Sequence, residues 1–299
     1  MRRGTYSIVA RDPVTGQLGV AVQSHWFCVG SIVSWAEPGV GAVATQSIAE
    51  PAYGPRALAL LRDGAAAPDA LARLTAADGE ADVRQVAVVD AAGRVAVHTG
   101  ARCIPHAGDV TGDGFSCQAN MMRSATVWPA MAEAFAAGEG GLAERLLLAL
   151  EAAEDEGGDV RGRQSAAVLV VGAEGEPWQR EVDLRVEDHP NPLAELWRLL
   201  ALHRAYELAE EADTLVGQGR TAEAAPLYER SSELAPDNDE LLFWAGLAAA
   251  QTGDLETGLA RVRRAMERNH GWRELLDRLD PAIAPSAPAV REALGAEGT

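Results

Sequence analysis

Near residue 190 the hydrophobic period of this 299-residue chain changes once and does not change back. Ahead of that point, short Val-rich runs alternate with runs that carry Leu at helical spacing; behind it, only helical spacing remains. A single lasting change of period predicts two units of different class. We expect an α+β domain over 1–200 and a small all-α region over 201–299, and the length suits two domains better than one.

Within the first unit, TYSIVARD (5–12) and LGVAVQSHW (18–26) flank the turn PVTGQ, which is too short for a crossover helix and predicts a β-hairpin. SIVSWAEPGVGAVATQS (31–47) predicts further strands turned at Pro38-Gly39. GPRALALLRDG (54–64) and APDALARLTAAD (67–78) predict helices, and VRQVAVVDAAGRVAVHTG (83–100) predicts a second hairpin. HAGDVTGDGFSCQAN (106–120) reads as a Gly-rich loop. Two helices follow over 126–138 and 141–158, then the strands RQSAAVLVVG (163–172) and EVDLRVEDHP (181–190). No G-x-G-x-x-G or Walker run stands between a strand and a helix, which removes weight from nucleotide-binding folds.

The second unit matches itself at an offset of 34 residues. Ala212 falls on Gly246, Gly219 on Gly253, Ala224 on Gly258, Tyr228 on Val262 and Ser231 on Ala265. Small residues thus recur where two helices must cross closely, and a large one where a knob fills a groove. The period resembles that of tetratricopeptide repeats. So few repeats make a marginal solenoid by themselves. The expectation is that Leu241, Phe243, Trp244 and Trp272 pack on the α/β domain or on a second copy in a homodimer. The working alternatives are a concave surface for a protein partner and a structural appendage.

Charge limits the partners. Asp and Glu number 44 against 26 Lys and Arg, a net −18. Such a surface repels phosphate backbones and anionic lipid, so neither nucleic acid nor membrane is an expected partner. No apolar run approaches the roughly 18 residues of a membrane span, and the start MRRGTYSIVARD lacks a signal-peptide core, which reads as cytoplasmic. Cys28, Cys103 and Cys117 show no CxxC spacing, and His98, His106 and His189 no metal spacing, so we expect no disulfide framework, metal or other cofactor. Cys28 and Cys117 read as buried small hydrophobes.

The first strand opens on Gly4-Thr5. A threonine freed at that bond carries a hydroxyl and an α-amine on one residue, and the amine, with a pKa near 8, is the base that a hydroxyl otherwise lacks. Thr5 is therefore the candidate nucleophile. Ser24, at the end of the second strand and beside Thr5 if the hairpin is right, is set to hydrogen-bond it; Ser7 shares its strand face and assists or packs. Gln46, Gln118 and Asn120, at strand ends or loops, carry amides suited to oxyanion donation or to satisfying loop backbone. His25 reads as a proton shuttle at the substrate or as a packed histidine. Arg163 reads either as a bidentate clamp on a substrate carboxylate, with Asp183 beside it, or as the salt-bridge partner of Asp183 or Asp188.

Many stretches of the first unit, in order, resemble the bacterial family DUF1028. They are T-Y-S-I-V-A-R-D (5–12), G-V-A-V-Q-S (19–24), G-V-G-A-V-A-T-Q (39–46), P-A-Y-G-P-R-A-L (51–58), F-S-C-Q-A-N (115–120), R-G-R-Q-S-A-A (161–167) and V-D-L-R-V-E-D-H-P-N-P (182–192). The resemblance implies a four-layer αββα sandwich of the N-terminal-nucleophile hydrolase type. It also implies an amidohydrolase or peptidase acting on a small-molecule or peptide amide. Chains of the family often begin Met-Thr; here Met1-Arg2-Arg3-Gly4 precedes the threonine, so exposing Thr5 requires cleavage of Gly4–Thr5.

Overall fold

The computed structural model describes residues 4–296. Met1, Arg2 and Arg3, which precede the Gly4–Thr5 bond, lie outside the described residues. Contacts divide the chain into two compact units between Arg198 and Leu199. No helix among the described residues is long and apolar enough to cross a membrane.

Two antiparallel sheets build the first unit. Strands β1 (Thr5–Arg11), β2 (Leu18–Ser24), β7 (Gly108–Gly112), β8 (Phe115–Asn120), β9 (Ser165–Val171) and β10 (Val182–Val186) form one, in the order β10-β9-β2-β1-β8-β7. Strands β3 (Ser34–Glu37), β4 (Gly41–Ser47), β5 (Arg84–Asp90) and β6 (Val95–Thr99) form the other, in sequence order. Alternation fixes the register. Val9, Leu18, Val20, Val22 and Leu169 of the larger sheet share one buried core with Ala42, Ala44, Ala87 and Val89 of the smaller.

The opposite faces receive helices. The pair α2 (Tyr53–Arg62) and α3 (Ala67–Ala77) packs on β4, β5 and β6. The pair α4 (Val127–Ala137) and α5 (Leu142–Asp155) covers the other sheet. Leu146, Leu147 and Leu150 of α5 are completely or almost completely buried, each contributing about 2 kcal/mol of apolar burial.

Two segments depart from the sequence reading. Gly30–Val33 forms a one-turn helix, α1, ahead of β3 rather than the start of a strand. Residues 108–120, expected as a loop, form the hairpin β7–β8. Gly114, at φ 73°, supplies the left-handed turn residue after Asp113, and behind it Phe115, Cys117 and Ala119 alternate with Ser116, Gln118 and Asn120 on the two buried faces of β8.

The second unit is helical. Its first helix is α6 (Pro192–Gly217). It is followed by α7 (Thr221–Leu234), α8 (Asp239–Gln251), α9 (Leu255–Arg268), α10 (Gly271–Arg278) and α11 (Ala287–Ala296). Asn238 and Asp254 cap α8 and α9 through the amides of Leu241 and Thr257. Gly246 and Gly258 face each other where α8 crosses α9: a Cβ on Gly246 would stand 2.9 Å from the Gly258 carbonyl oxygen. Of the aromatics expected to dock outward, Phe243 belongs to the buried core of this unit, while Trp244 and Trp272 are partly buried and pack against it. Phe243 is fully buried and stacks on Trp272 at 4.7 Å, and Trp244 meets it edge-on.

Candidate active site at the start of the first strand

Strand β1 is hydrogen-bonded on both sides, and its first residue meets a polar residue on each. Thr5 pairs with Ser24 of β2 and with Asn120 of β8, and Ser24 pairs in turn with Ser165 of β9. All four are buried; Thr5 is 1% exposed. Two residues along, Ser7 lies beside Gln118, and only from Val9 onward does β1 face the apolar core. The gap between the sheets is therefore polar at one end and apolar along the rest.

Three hydroxyl and carbonyl oxygens are linked by successive hydrogen bonds at that polar end. Thr5 Oγ1 donates to Ser24 Oγ at 3.1 Å, and Ser24 Oγ donates to the carbonyl oxygen of Gly4. Arg161 Nη2 donates to the same carbonyl at 2.8 Å. Arg161 is itself fixed by Asp159, through Nη2 to Oδ2 at 2.7 Å and Nε to Oδ1 at 3.0 Å. The Asp159 side chain is fully buried and also accepts from the amides of Arg161 and His25. A charge withdrawn from water this far needs such partners.

Behind Thr5 lies an amide network joining the two sheets. Gln46 Oε1 accepts from Ser7 Oγ at 2.6 Å, while Gln46 Nε2 donates to Gln85 Oε1 at 2.8 Å and to the Thr5 carbonyl at 3.3 Å. Gln118 Nε2 donates to Ser7 Oγ at 2.7 Å, and Asn120 Nδ2 to Gln85 Oε1 at 3.0 Å. Gln85 Nε2 closes the network on the Ala119 carbonyl at 2.9 Å and Thr99 Oγ1 at 2.9 Å. Asn120 Oδ1 is buried with no protein partner. It is an acceptor held beside the nucleophile candidate.

The structure thus brings together Thr5, Ser24, Gln46, Gln118 and Asn120. Gln118 and Asn120 stand within strand β8 rather than in a loop. His25 borders the group through its backbone, and its ring Nδ1 lies 3.2 Å from the Arg163 carbonyl. Arg163 and Asp183 do not join it. The Arg163 guanidinium binds Glu154 at 2.5 Å and Asn191 at 3.2 Å, not Asp183 or Asp188. Asp183 sits opposite Leu169 on the edge strand β10, well along β9 from Ser165, and pairs with Arg185. Cys117 is buried, and burial pushes its thiol up, whereas Cys28 is only half-buried. Among the described residues no group of three or more His, Cys, Asp or Glu is placed to hold a metal ion.

Sequence reasoning passed over Gln85, and noted Asp159 and Arg161 only as polar residues just before the buried strand at 163–172, without a role. Gln85 interrupts an otherwise apolar inward row on β5, and that interruption was its signal. Asp159 and Arg161 sit in a loop 154 residues or more from Thr5, and nothing local marks the approach.

The fold and site together describe a two-sheet α+β protein with a buried threonine opening a central strand. The chain belongs to DUF1028, a family of unknown function, whose family model matches residues 5–196. A solved DUF1028 structure from Silicibacter pomeroyi is 36% identical, covers 66% of this chain and 84% of its own, and superposes with a TM-score of 0.61. Anbu, the ancestral beta-subunit, from Yersinia bercovieri is 13% identical with a TM-score of 0.34, over 64% of this chain and 92% of its own. No curated protein matches the chain.

Proposed function

We propose that the first unit is an amide hydrolase of the N-terminal-nucleophile type, built as a four-layer αββα sandwich with Thr5 as its nucleophile. The observation that carries this reading is the hydroxyl line Thr5–Ser24–Gly4 with Arg161 on the same carbonyl. In the intact chain the line acts on the Gly4–Thr5 bond. Thr5 Oγ1 attacks the Gly4 carbonyl carbon, its proton passing to Ser24 as Ser24 passes its own toward the Gly4 oxygen. Arg161 stabilises the charge that develops on that oxygen. Collapse breaks the C–N bond as the proton held at the Gly4 oxygen passes to the Thr5 nitrogen, and leaves Gly4 as an ester on Thr5, which water hydrolyses. The freed α-amine then serves as base for attack on a substrate amide. Asn120 Oδ1 offers that amine an acceptor.

Intact-mass measurement of the purified protein tests the reading. A chain that begins at Thr5 is expected, and Thr5→Ala should keep residues 1–4. A wild-type chain that holds its Gly4–Thr5 bond through prolonged incubation overturns it.

A second reading, a protein-binding role for a tetratricopeptide-like second unit, rests on a groove of about 670 Å³ lined by Tyr206, Glu210, Tyr228, Glu240, Trp244 and Ile283. The small pairs Ala212/Ala224 and Gly246/Gly258, 34 residues apart, support the repeat assignment. Capture of a protein by the full chain, lost in Glu240→Arg, supports this role; equal capture by both overturns it. We take the protein to be a cytoplasmic homodimer, which a monomer mass in light scattering would overturn.

A further inference from the structure

We infer that Asp159 limits the acyl side of the Thr5 site to groups without an L side chain at the α-carbon, so that its substrates are glycyl amides. This rests on Thr5 being the nucleophile. The geometry is that of the intact bond. The Gly4 carbonyl sits on Ser24 Oγ and Arg161 Nη2, and the Asp159 carboxylate fills the space where a side chain on its α-carbon would stand. A Cβ added to Gly4 would stand 2.7 Å from Asp159 Oδ2 and 2.9 Å from both Oδ1 and Cγ. Those are overlaps with all three terminal atoms of one side chain.

A free carboxylate would rotate out of the way. This one is held by three bonds from Arg161, at 2.9, 3.0 and 2.7 Å, and by the His25 amide at 3.3 Å. Its backbone is fixed as well: Asp159 bridges Met122, and its carbonyl accepts from the Gly162 amide at 2.9 Å. Turning the carboxylate would break the pair that aims Arg161 at the carbonyl. Accepting a side chain and stabilising the oxyanion are therefore opposed.

After the Gly4–Thr5 bond is cut, the same nucleophile and the same two donors meet a substrate carbonyl. A carbonyl seated on them places its α-carbon where Gly4 Cα stood, against Asp159. Attack by Thr5 Oγ1 forms the glycyl ester and breaks the amide C–N bond. The departing amine takes the proton that left the hydroxyl, and water releases the carboxylate product. Asp159 touches the substrate's α-carbon and selects among acyl groups, while Arg161 touches its oxygen.

The test uses the full-length protein with two fluorogenic amides, acetylglycyl-amidomethylcoumarin and acetyl-L-alanyl-amidomethylcoumarin, with Thr5→Ala as control. One overlapping methyl predicts hydrolysis of the glycyl amide about tenfold faster or more, expressed in kcat/KM. Equal rates, both lost in Thr5→Ala, overturn the selectivity and leave the nucleophile standing. Thr5-independent hydrolysis, or no hydrolysis of either amide, overturns both. A second measurement needs no added substrate: Gly4→Ala should lose residues 1–4 at least about tenfold more slowly than wild type, with an unchanged circular-dichroism spectrum. Release at the wild-type rate overturns the inference.

Discussion

Arg161 Nη2 stands 2.8 Å from the carbonyl oxygen of Gly4, although 157 positions separate the two residues. That carbonyl belongs to the bond whose loss would free Thr5, and Ser24 Oγ donates to it from the neighbouring strand. A guanidinium and a hydroxyl on one peptide oxygen polarise that carbonyl and make its carbon more electrophilic.

Removing either donor should slow release of residues 1–4 without unfolding the protein. Loss of one oxyanion donor typically costs about 10²–10³ in rate. Ser24→Ala and Arg161→Lys are each expected to fall in that range, the lysine because it keeps the charge for Asp159 but loses the planar fork. The wild-type sequence contains no lysine, so the α-amine is the sole primary amine of the wild type and of Ser24→Ala, and Arg161→Lys adds a single second amine at a known position. Amine-specific labelling followed by mass spectrometry therefore reports directly which residue stands at the N-terminus.

Gln85→Leu should destabilise the first unit by about 3 kcal/mol, read from chemical denaturation. The leucine fits the volume but leaves the amides of Gln46 and Asn120 without the Gln85 oxygen at 2.8 and 3.0 Å. It also strips the Gly108 and Ala119 carbonyls of a donor. A change below about 1 kcal/mol would mean that water replaces these bonds at little cost.

Gly54→Ala should cost about 1–3 kcal/mol by overpacking. A Cβ at that position would stand 2.2–2.4 Å from atoms of the Trp35 ring, and Trp35 is tethered through Nε1 to the Ile32 carbonyl at 3.0 Å. Near-wild-type stability would show that the ring shifts freely.

All four tyrosines give their hydroxyl to a carboxylate: Tyr6 to Glu154, Tyr53 to Asp78, Tyr206 to Glu240 and Tyr228 to Asp213. Burial, reinforced by those carboxylates, raises every phenol above its ordinary value, Tyr53 to about 12. The folded state then holds the phenolic protons more tightly than the unfolded state. The associated stability is complete below pH ~10, the unfolded value, and is lost as pH rises through the folded values. Phenolate absorbance at pH 10.5 should stay low in the native protein and rise sharply on adding denaturant. Full ionisation without unfolding would contradict the four pairings.

The hairpin β1–β2 was legible because both strands alternate cleanly around a short turn, and counting back from that turn set Ser24 beside Thr5. The segment 108–120 was not, because Gly108, Gly112 and Gly114 outweighed the alternation of Phe115, Cys117 and Ala119. Gln118 and Asn120 were accordingly assigned to a loop. Long-range approach hid the rest: no spacing joins Asp159 and Arg161 to Gly4. In the second unit the close approach of Gly246 and Gly258 falls on two of the small residues that the 34-residue offset had marked, but Phe243 and Trp272 looked like outward anchors because their stacking partner was each other.

Chain termini usually fray, because the last residues lack partners on at least one side. Strand β1 lies between β2 and β8 and is bonded to both from Thr5 onward. A terminus created at Thr5 would be immobile from the moment it formed, its amine oriented by two neighbouring strands instead of by a search through conformations. The entropy of positioning the base would already have been met when the domain folded.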